Sequence, residues 1–307
     1  MLNNKIVVLM TTYNPTEYIF EQIESILNQK GVVVELIIRD DASSEKKNLN
    51  KIKLMYPNIT IIEGEVNLGV AENIKSLLMY ASKNFSDYEF FAYSDQDDVW
   101  RENKLSAALS SLSKLNLDKP ALYYANLLVT DSALKPTHEL FKKNVVKNTL
   151  GQGLAQVFLF ACTTMFNKNM IMEVVKYDFN SLGFDSLIYY IGIINRNIVF
   201  DNNPHILYRQ HGFNVSGKKE KGLSYFISKV FGILANNVET KPMQIKAKFI
   251  EAYLSDLLTV DERDMVKKVS NYSGMLSRLN IIFDSRIQSG YCPKDIYRWL
   301  RLLMGNY

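Results

Sequence analysis

Cysteine is scarce in this chain of 307 residues: only Cys162 and Cys292 occur, far apart and in no ligand-spaced cluster. That argues against a disulfide framework and a structural zinc site, and points to a reducing compartment. An excess of charge of one sign is also lacking. Lys and Arg number 36 against 32 for Asp and Glu, and a net charge of +4 is too weak to imply nucleic acid as a partner. Long hydrophobic runs are missing as well. The stretch Ile6 to Met10 is too short for a secretory h-region, and no small-residue cleavage site follows it. The longest later stretch, Ala155 to Phe166, falls well short of the roughly 20 residues that span a bilayer and contains Gln156, Thr163 and Thr164. No internal repeat or low-complexity tract is found. What is left is a globular chain whose 47% hydrophobic content can bury a large core.

The first hundred residues alternate strands and helices. Ile6–Met10 is apolar throughout, as a parallel strand covered on both faces would be. Asn14, Pro15 and Glu17 supply an N-cap, a first helical residue and a capping box for the helix behind them. Strands are predicted at Val32–Ile38, Ile59–Glu63 and Phe90–Tyr93, with helices at Lys46–Met55 and Ala71–Lys83. Short connections then imply a doubly wound parallel sheet. Beyond it come helices at Lys104–Leu115, Lys168–Lys176 and Phe184–Ile194, short strands at Asn197–Phe200 and His205–Tyr208, and a Gly/Lys-rich loop at 212–222. The rest reads as helical, with Met243–Val260 as one helix and Pro293–Met304 as the last.

Ligands of such sheets bind beyond the carboxyl ends of the strands. Polar residues stand at all four ends: Thr11 to Asn14, Asp40 and Asp41, Asn67, and Asp95 to Asp98. Asp95 and Asp97, two apart in a turn, can offer oxygen ligands to Mg²⁺ or Mn²⁺ while leaving positions open for phosphate. Three carboxylates at the end of a buried strand repel one another unless a cation or a basic partner sits among them. Asp41 can accept from a base N–H or a ribose hydroxyl, or simply cap a turn, and Tyr13 can stack on a nucleobase or pack. A dinucleotide-binding oxidoreductase is excluded, because TTYNPTE follows the first strand where G-x-G-x-x-G is required. A sugar nucleotidyltransferase would need a glycine-rich basic loop there, which is absent.

The segments LMTTYNP (9–15), ELIIRDDAS (35–43), NLGVAEN (67–73) and SDQDDVW (94–100), in that order and spacing, resemble glycosyltransferase family 2 of the GT-A fold. SDQDDVW together with YRQHGFNVSG (208–217) resembles its bacterial rhamnosyltransferase-like branch. The resemblance covers roughly residues 1 to 215 and implies a Rossmann-like, mostly parallel sheet flanked by helices, with a helical C-terminal extension. It implies a catalytic domain over residues 1–217, divided into a nucleotide-binding half (1–100) and an acceptor half (101–217), and a helical region over 218–307. By similarity, Thr12, Tyr13, Asp41, Asn67 and Asp95 would hold the nucleotide. Asp97, Asp95 and His211 would hold a divalent metal, Mn²⁺ or Mg²⁺, and Asp185 would be the catalytic base. Arg209 or Gln210 would assist the diphosphate. Where relatives often read Gly-Cys-Thr, this chain has Ala161-Cys162-Thr163, which questions a close backbone approach at 161.

The expected activity is inverting transfer of a sugar from a nucleotide diphosphate donor to a glycan or lipid-linked acceptor in bacterial surface polysaccharide synthesis. dTDP-rhamnose is the favoured donor and a UDP-sugar the alternative, which would make the chain a galactosyl- or N-acetylhexosaminyltransferase. A non-catalytic nucleotide-sugar binding module is the reading from another class. Nucleic acid is not an expected partner. Lys294, Arg298 and Arg301 give the last helix a basic amphipathic pattern, and Leu223–Leu234 is apolar behind Lys218, Lys219 and Lys221. Both elements suit an anionic membrane surface, or packing on the catalytic domain or a second subunit in a homodimer, the commoner use of an apolar stripe. The expected location is the cytoplasm, with the inner face of the cell membrane as the peripheral site.

Overall fold

The computed structural model describes residues 4–211 and 241–305. The segment Leu223–Leu234, the lysines before it and the 212–217 part of the second motif lie outside the described residues. The chain divides into two compact units, one of Met1–Lys143 with Leu159–His211 and one of Asn144–Phe158 with Gly212–Tyr307.

The first unit carries a seven-stranded sheet. Strands β1 (Lys5–Thr12), β2 (Val33–Asp40), β3 (Thr60–Glu63) and β4 (Phe90–Ser94) pair in parallel, in the order β4-β1-β2-β3. Residues Ile6 to Met10 are fully buried, as continuous apolar sequence requires of a strand covered on both faces. Ile6, Val8 and Met10 pack with Ile19, Ile23 and Ile26 of α1 (Tyr18–Leu27) and with Leu105, Ala108 and Leu112 of a helix at Lys104–Leu112. The crossovers α2 (Lys47–Met55) and α3 (Val70–Asn84) complete the layers, and we label Lys104–Leu112 α4.

After the acidic turn comes β5 (Val99–Trp100), then β6 (Leu122–Ala125), β7 (Leu128–Thr130) and β8 (Pro136–Glu139). Strand β9 (Met165–Asn167) inserts antiparallel between β4 and β6, and β10 (Ile198–Asp201) lies parallel to β6 at the edge. Helix α5 (Leu150–Ala155) belongs to the second unit; α6 (Lys168–Val174) and α7 (Phe184–Ile194) belong to the first. A second sheet, ordered β5-β11-β7-β8, is closed by β11 (Ile206–Arg209), antiparallel to β5 and parallel to β7. That return strand decides the site, because β5 leads directly out of the acidic turn.

Three elements differ from expectation. Helix α1 begins at Tyr18 without a side-chain cap. Asn14 sits in the left-handed region (φ 44°), and its Oδ1 accepts instead from the Glu45 N–H at 3.1 Å, so a long-range bond replaces the local cap. Strand β8 forms where the sequence pattern predicts no element. The helix expected over Met243–Val260 stops at Tyr253; a 3₁₀ turn at Ser255–Leu257 follows, and a new helix, Val260–Ser270, starts with a capping box between Thr259 and Glu262.

In the second unit the helix Cys292–Leu303 is amphipathic, but Arg298 is turned inward, its Nη1 3.2 Å from Asp295 Oδ1. The three basic residues therefore do not form one outward stripe. No helix among the described residues is long and apolar enough to cross a membrane.

Candidate active site

The acidic turn 95–98 hangs between the carboxyl end of β4 and β5. Register places Ser94 beside Met10, so the turn stands next to Thr11–Tyr13 at the tip of β1. Strand β11 comes from 111 residues further on and contributes its end: the Arg209 N–H donates to Asp98 Oδ1 at 3.2 Å, and two residues later His211 Nε2 lies 2.8 Å from Asp97 Oδ2. The His211 ring lies against Tyr18, centroids 5.2 Å apart. Arg209 is almost wholly buried and does not face open solvent as a diphosphate ligand would. Its Nε donates to the Asp97 carbonyl at 2.9 Å, its Nη1 to the Ser132 carbonyl at 2.7 Å, and its Nη2 pairs with Glu21.

Below the turn, Asp95, Asp98 and Cys162 each bring one potential ligand atom to within 4.8 Å of the others. Cys162 lies in a 3₁₀ turn (Ala161–Thr163) that packs on β4. Burial pushes its thiol well above its ordinary pKa, so it stays a protonated donor within hydrogen-bonding reach of Asp95 and Asp98. Lys104, at the start of α4, is buried beside them; its Nζ has no hydrogen-bond acceptor among the described residues and stands 3.6 Å from the Trp100 ring centroid. Burial pulls its pKa down to about 7, against the opposing pull of Cys162 and Asp98.

Asp185 sits in the first turn of α7, behind Gly183, whose φ of 80° lets the chain turn into the helix. Burial pushes its carboxyl up to about 7, and backbone N–H groups, including that of Ala161, offset part of the effect. Alanine at 161 thus leaves the backbone close enough to serve Asp185. Asp95 is also pushed up to about 7, by burial first and then by the charges of Asp97 and Asp185. The Phe184 ring, next to Asp185 in the chain, packs 5.6 Å from that of Tyr93 in β4, which sets the start of α7 beside the strand that ends in the acidic turn, although α7 lies some ninety residues downstream.

The residues expected on the nucleotide side lie at the neighbouring strand tips. The Thr12 hydroxyl meets Gln96 Oε1, which also accepts the Tyr13 N–H at 3.1 Å, and the Tyr13 side chain remains 45% exposed, available to a flat ligand. Asp41 is buried and accepts from the N–H groups of Leu68 (3.1 Å) and Gly69 (2.9 Å), with Arg39 Nη1 at 3.3 Å. It fastens the 67–69 loop. Asn67 Oδ1 accepts the Gly69 N–H at 3.1 Å. Asp40 is a capping residue, holding Ser43 N–H at 2.9 Å and Lys46 Nζ at 3.0 Å. Asp95, Asp97, Asp185 and His211 therefore share one site, with Thr12 and Tyr13 joined to it through Gln96, whereas Asp41 and Asn67 shape the adjoining loop. Sequence reading missed Gln96, Cys162, Lys104 and the clamp role of Arg209; only Cys162 carried a signal, through the Gly-Cys-Thr pattern.

The group Asp95, Asp98 and Cys162, within 4.8 Å of one another, and the adjoining Asp97–His211 pair together offer carboxylate oxygens and an imidazole, donors that hard divalent cations take. The residues present fit Mn²⁺ or Mg²⁺.

A family model described as Glycosyl transferase family 2 matches residues 7–174. The dTDP-rhamnosyl transferase RfbG of Shigella flexneri is 30% identical over 225 residues, spanning 68% of this chain and 73% of that protein. Among solved structures, S. aureus TarS 1-349 in complex with UDP-GlcNAc superposes with a TM-score of 0.58 at 15% identity, over 98% of this chain and 90% of that one. The mannosyltransferase PcManGT from Pyrobaculum calidifontis, in complex with GDP-Man and Mn²⁺, has a TM-score of 0.50 at 12% identity, over 98% and 85%. These two share the GT-A fold. Its family model spanning more than half the chain, and RfbG aligning over two thirds of it, this protein belongs to glycosyl transferase family 2.

Proposed function

We propose that this family 2 glycosyltransferase transfers a sugar with inversion from a nucleotide diphosphate donor to an acceptor hydroxyl, with Asp185 as base. The observation that carries the reading is the convergence of Asp185, from the start of α7, on the Asp95–Asp97 turn and His211. In-line displacement needs a leaving diphosphate stabilised on one side of the sugar and a hydroxyl deprotonated on the other. Asp95, Asp97 and His211 would hold a divalent cation, which when bound supplies neutralisation of the charge growing on the leaving group. Asp185 takes the acceptor hydroxyl's proton onto its carboxylate. Burial tunes it to that task, since a carboxyl near 7 is a far stronger base than one at 3.8 and is still half ionised at neutral pH. Thr12 and Tyr13 bind the nucleoside, and the loop fastened by Asp41, with Asn67, closes over it.

The favoured donor is dTDP-rhamnose, on the likeness to RfbG, and a UDP-sugar is the alternative, on the fold shared with TarS. The acceptor is a glycan or lipid-linked glycan of bacterial surface polysaccharide assembly. The test is a thermal-shift and turnover panel of nucleotide sugars with and without Mn²⁺, followed by NMR of the product linkage. Stabilisation by one donor that depends on Mn²⁺, and an inverted anomeric configuration, are expected. A retained configuration removes the role of Asp185, and indifference to every nucleotide removes the donor site.

A further inference from the structure

Arginine near a diphosphate site invites a role as phosphate ligand, but the geometry of Arg209 is that of a fastener. Its side chain reaches three separate elements: the Asp97 carbonyl in the acidic turn at 2.9 Å, the Ser132 carbonyl after β7 at 2.7 Å, and the Glu21 carboxylate on α1. Its guanidinium carbon stands 4.2 Å from the centroid of the Tyr18 ring, the same ring on which His211 rests. Its own N–H is held by Asp98 Oδ1 at 3.2 Å. A planar fork with five donors can hold several acceptors at fixed angles, which lysine's single ammonium cannot.

We infer that Arg209 is a positioning residue for the Asp97–His211 pair and does not contact the donor diphosphate. The inference rests on the reading of Asp97 and His211 as metal-holding residues. Arg209 pins the carbonyl of Asp97 while the chain it belongs to delivers His211, two residues on, to the Asp97 carboxylate. The guanidinium thus holds one member of the pair directly and the other through its own strand end, and the Tyr18 ring backs both Arg209 and His211. Without it the end of β11 and the acidic turn lose their shared anchor, and the two ligating atoms no longer meet at a fixed separation. Groups that orient metal ligands typically contribute about 10- to 100-fold in metal affinity.

The experiment is calorimetric titration of the full chain with Mn²⁺ alone, beside titration with UDP and dTDP in the absence of metal, for wild type, Arg209→Met, Arg209→Lys and Glu21→Gln. Arg209→Met is expected to weaken Mn²⁺ binding about 10- to 100-fold and leave metal-free nucleotide binding unchanged. Arg209→Lys should recover part of the loss. Glu21→Gln, which removes only the exposed carboxylate that pairs with Nη2, should weaken Mn²⁺ binding by a smaller factor in a chain that keeps its fold, and so decides the matter if Arg209→Met does not fold. Unchanged Mn²⁺ binding in Arg209→Met, or in Glu21→Gln where Arg209→Met is unfolded, overturns the inference. So does a loss confined to metal-free nucleotide binding, the signature of a phosphate ligand. Failure of the wild type itself to bind Mn²⁺ overturns the metal-site reading along with it.

Discussion

Replacing Asp185 with Asn removes the proposed base and keeps the side chain's size and shape. Burial holds the Asp185 carboxyl at about 7, so at about pH 6 only about a tenth is ionised and at about pH 8 about nine tenths. Wild-type kcat/KM should therefore rise about ninefold between those two pH values and level off above them. A carboxyl at its ordinary 3.8 would be ionised throughout and give a flat profile. Asp95, also held at about 7, is the competing source of an acid limb. The two are separated by the metal: an apparent pKa that moves with Mn²⁺ concentration belongs to Asp95, and one that stays at saturating Mn²⁺ belongs to Asp185. Asp185→Asn should lower turnover about 10²- to 10⁴-fold, the usual worth of a positioned base, and abolish the fixed limb. Linkage supplies a second readout. The folded state binds more protons than the unfolded one between 3.8 and about 7, so the wild type loses stability as pH rises through that window, and the uncharged Asn variant does not. The melting temperature of Asp185→Asn should thus gain on the wild type above neutral pH. The assay is nucleotide release from the donor found in the panel, with melting curves at matched pH. A flat profile at saturating Mn²⁺, or an Asn variant within about threefold of wild-type turnover, refutes the assignment.

Asp41→Ala frees the Leu68 and Gly69 N–H groups; with charged acceptors worth about 1.5–3 kcal/mol each, donor KM should rise tenfold or more while kcat stays within about threefold in steady-state assays. Gly151→Ala would gain about 1 kcal/mol at an open helical site. Here the added Cβ would stand 2.1 Å from the Arg286 carbonyl oxygen, so denaturant unfolding should show a net loss of about 1–3 kcal/mol. Burial would raise the Asp201 carboxyl, but bonds from His205 (3.0 Å) and the Asn203 N–H (2.8 Å) outweigh it and hold it down to about 2. Its stabilisation is complete above 3.8 and lost as pH falls towards about 2, so melts of Asp201→Asn should converge on the wild type in that window and lie below it above.

The parts of the fold that depend on neighbouring residues were readable from the chain. Ile6–Met10 could only be a doubly covered strand, and the polar residues at each strand end could only gather beyond the sheet. The start of α1 differs from the expected cap because the Asn14 side-chain Oδ1 accepts from the Glu45 N–H, a partner that local capping patterns do not include. The break after Tyr253 was visible in Thr259 and Glu262, whose spacing marks a new helix start. What neighbouring residues do not encode is register between distant strands. Pairing of β11 with β5, Leu207 opposite Val99 and Ile206 opposite Trp100, brings His211 to Asp97 and Arg209 to the turn. A slip of one residue would turn Arg209 to the opposite face. The apolar residues Ile206 and Tyr208, buried in the core with Trp100, forbid that slip. The accuracy of the acidic site thus derives from hydrophobic packing on the far side of a short strand. Mutations that loosen Ile206 or Trp100 should therefore weaken the proposed Mn²⁺ binding, read by calorimetric titration, before they lower the melting temperature, since Arg209 and His211 stand at the free end of β11.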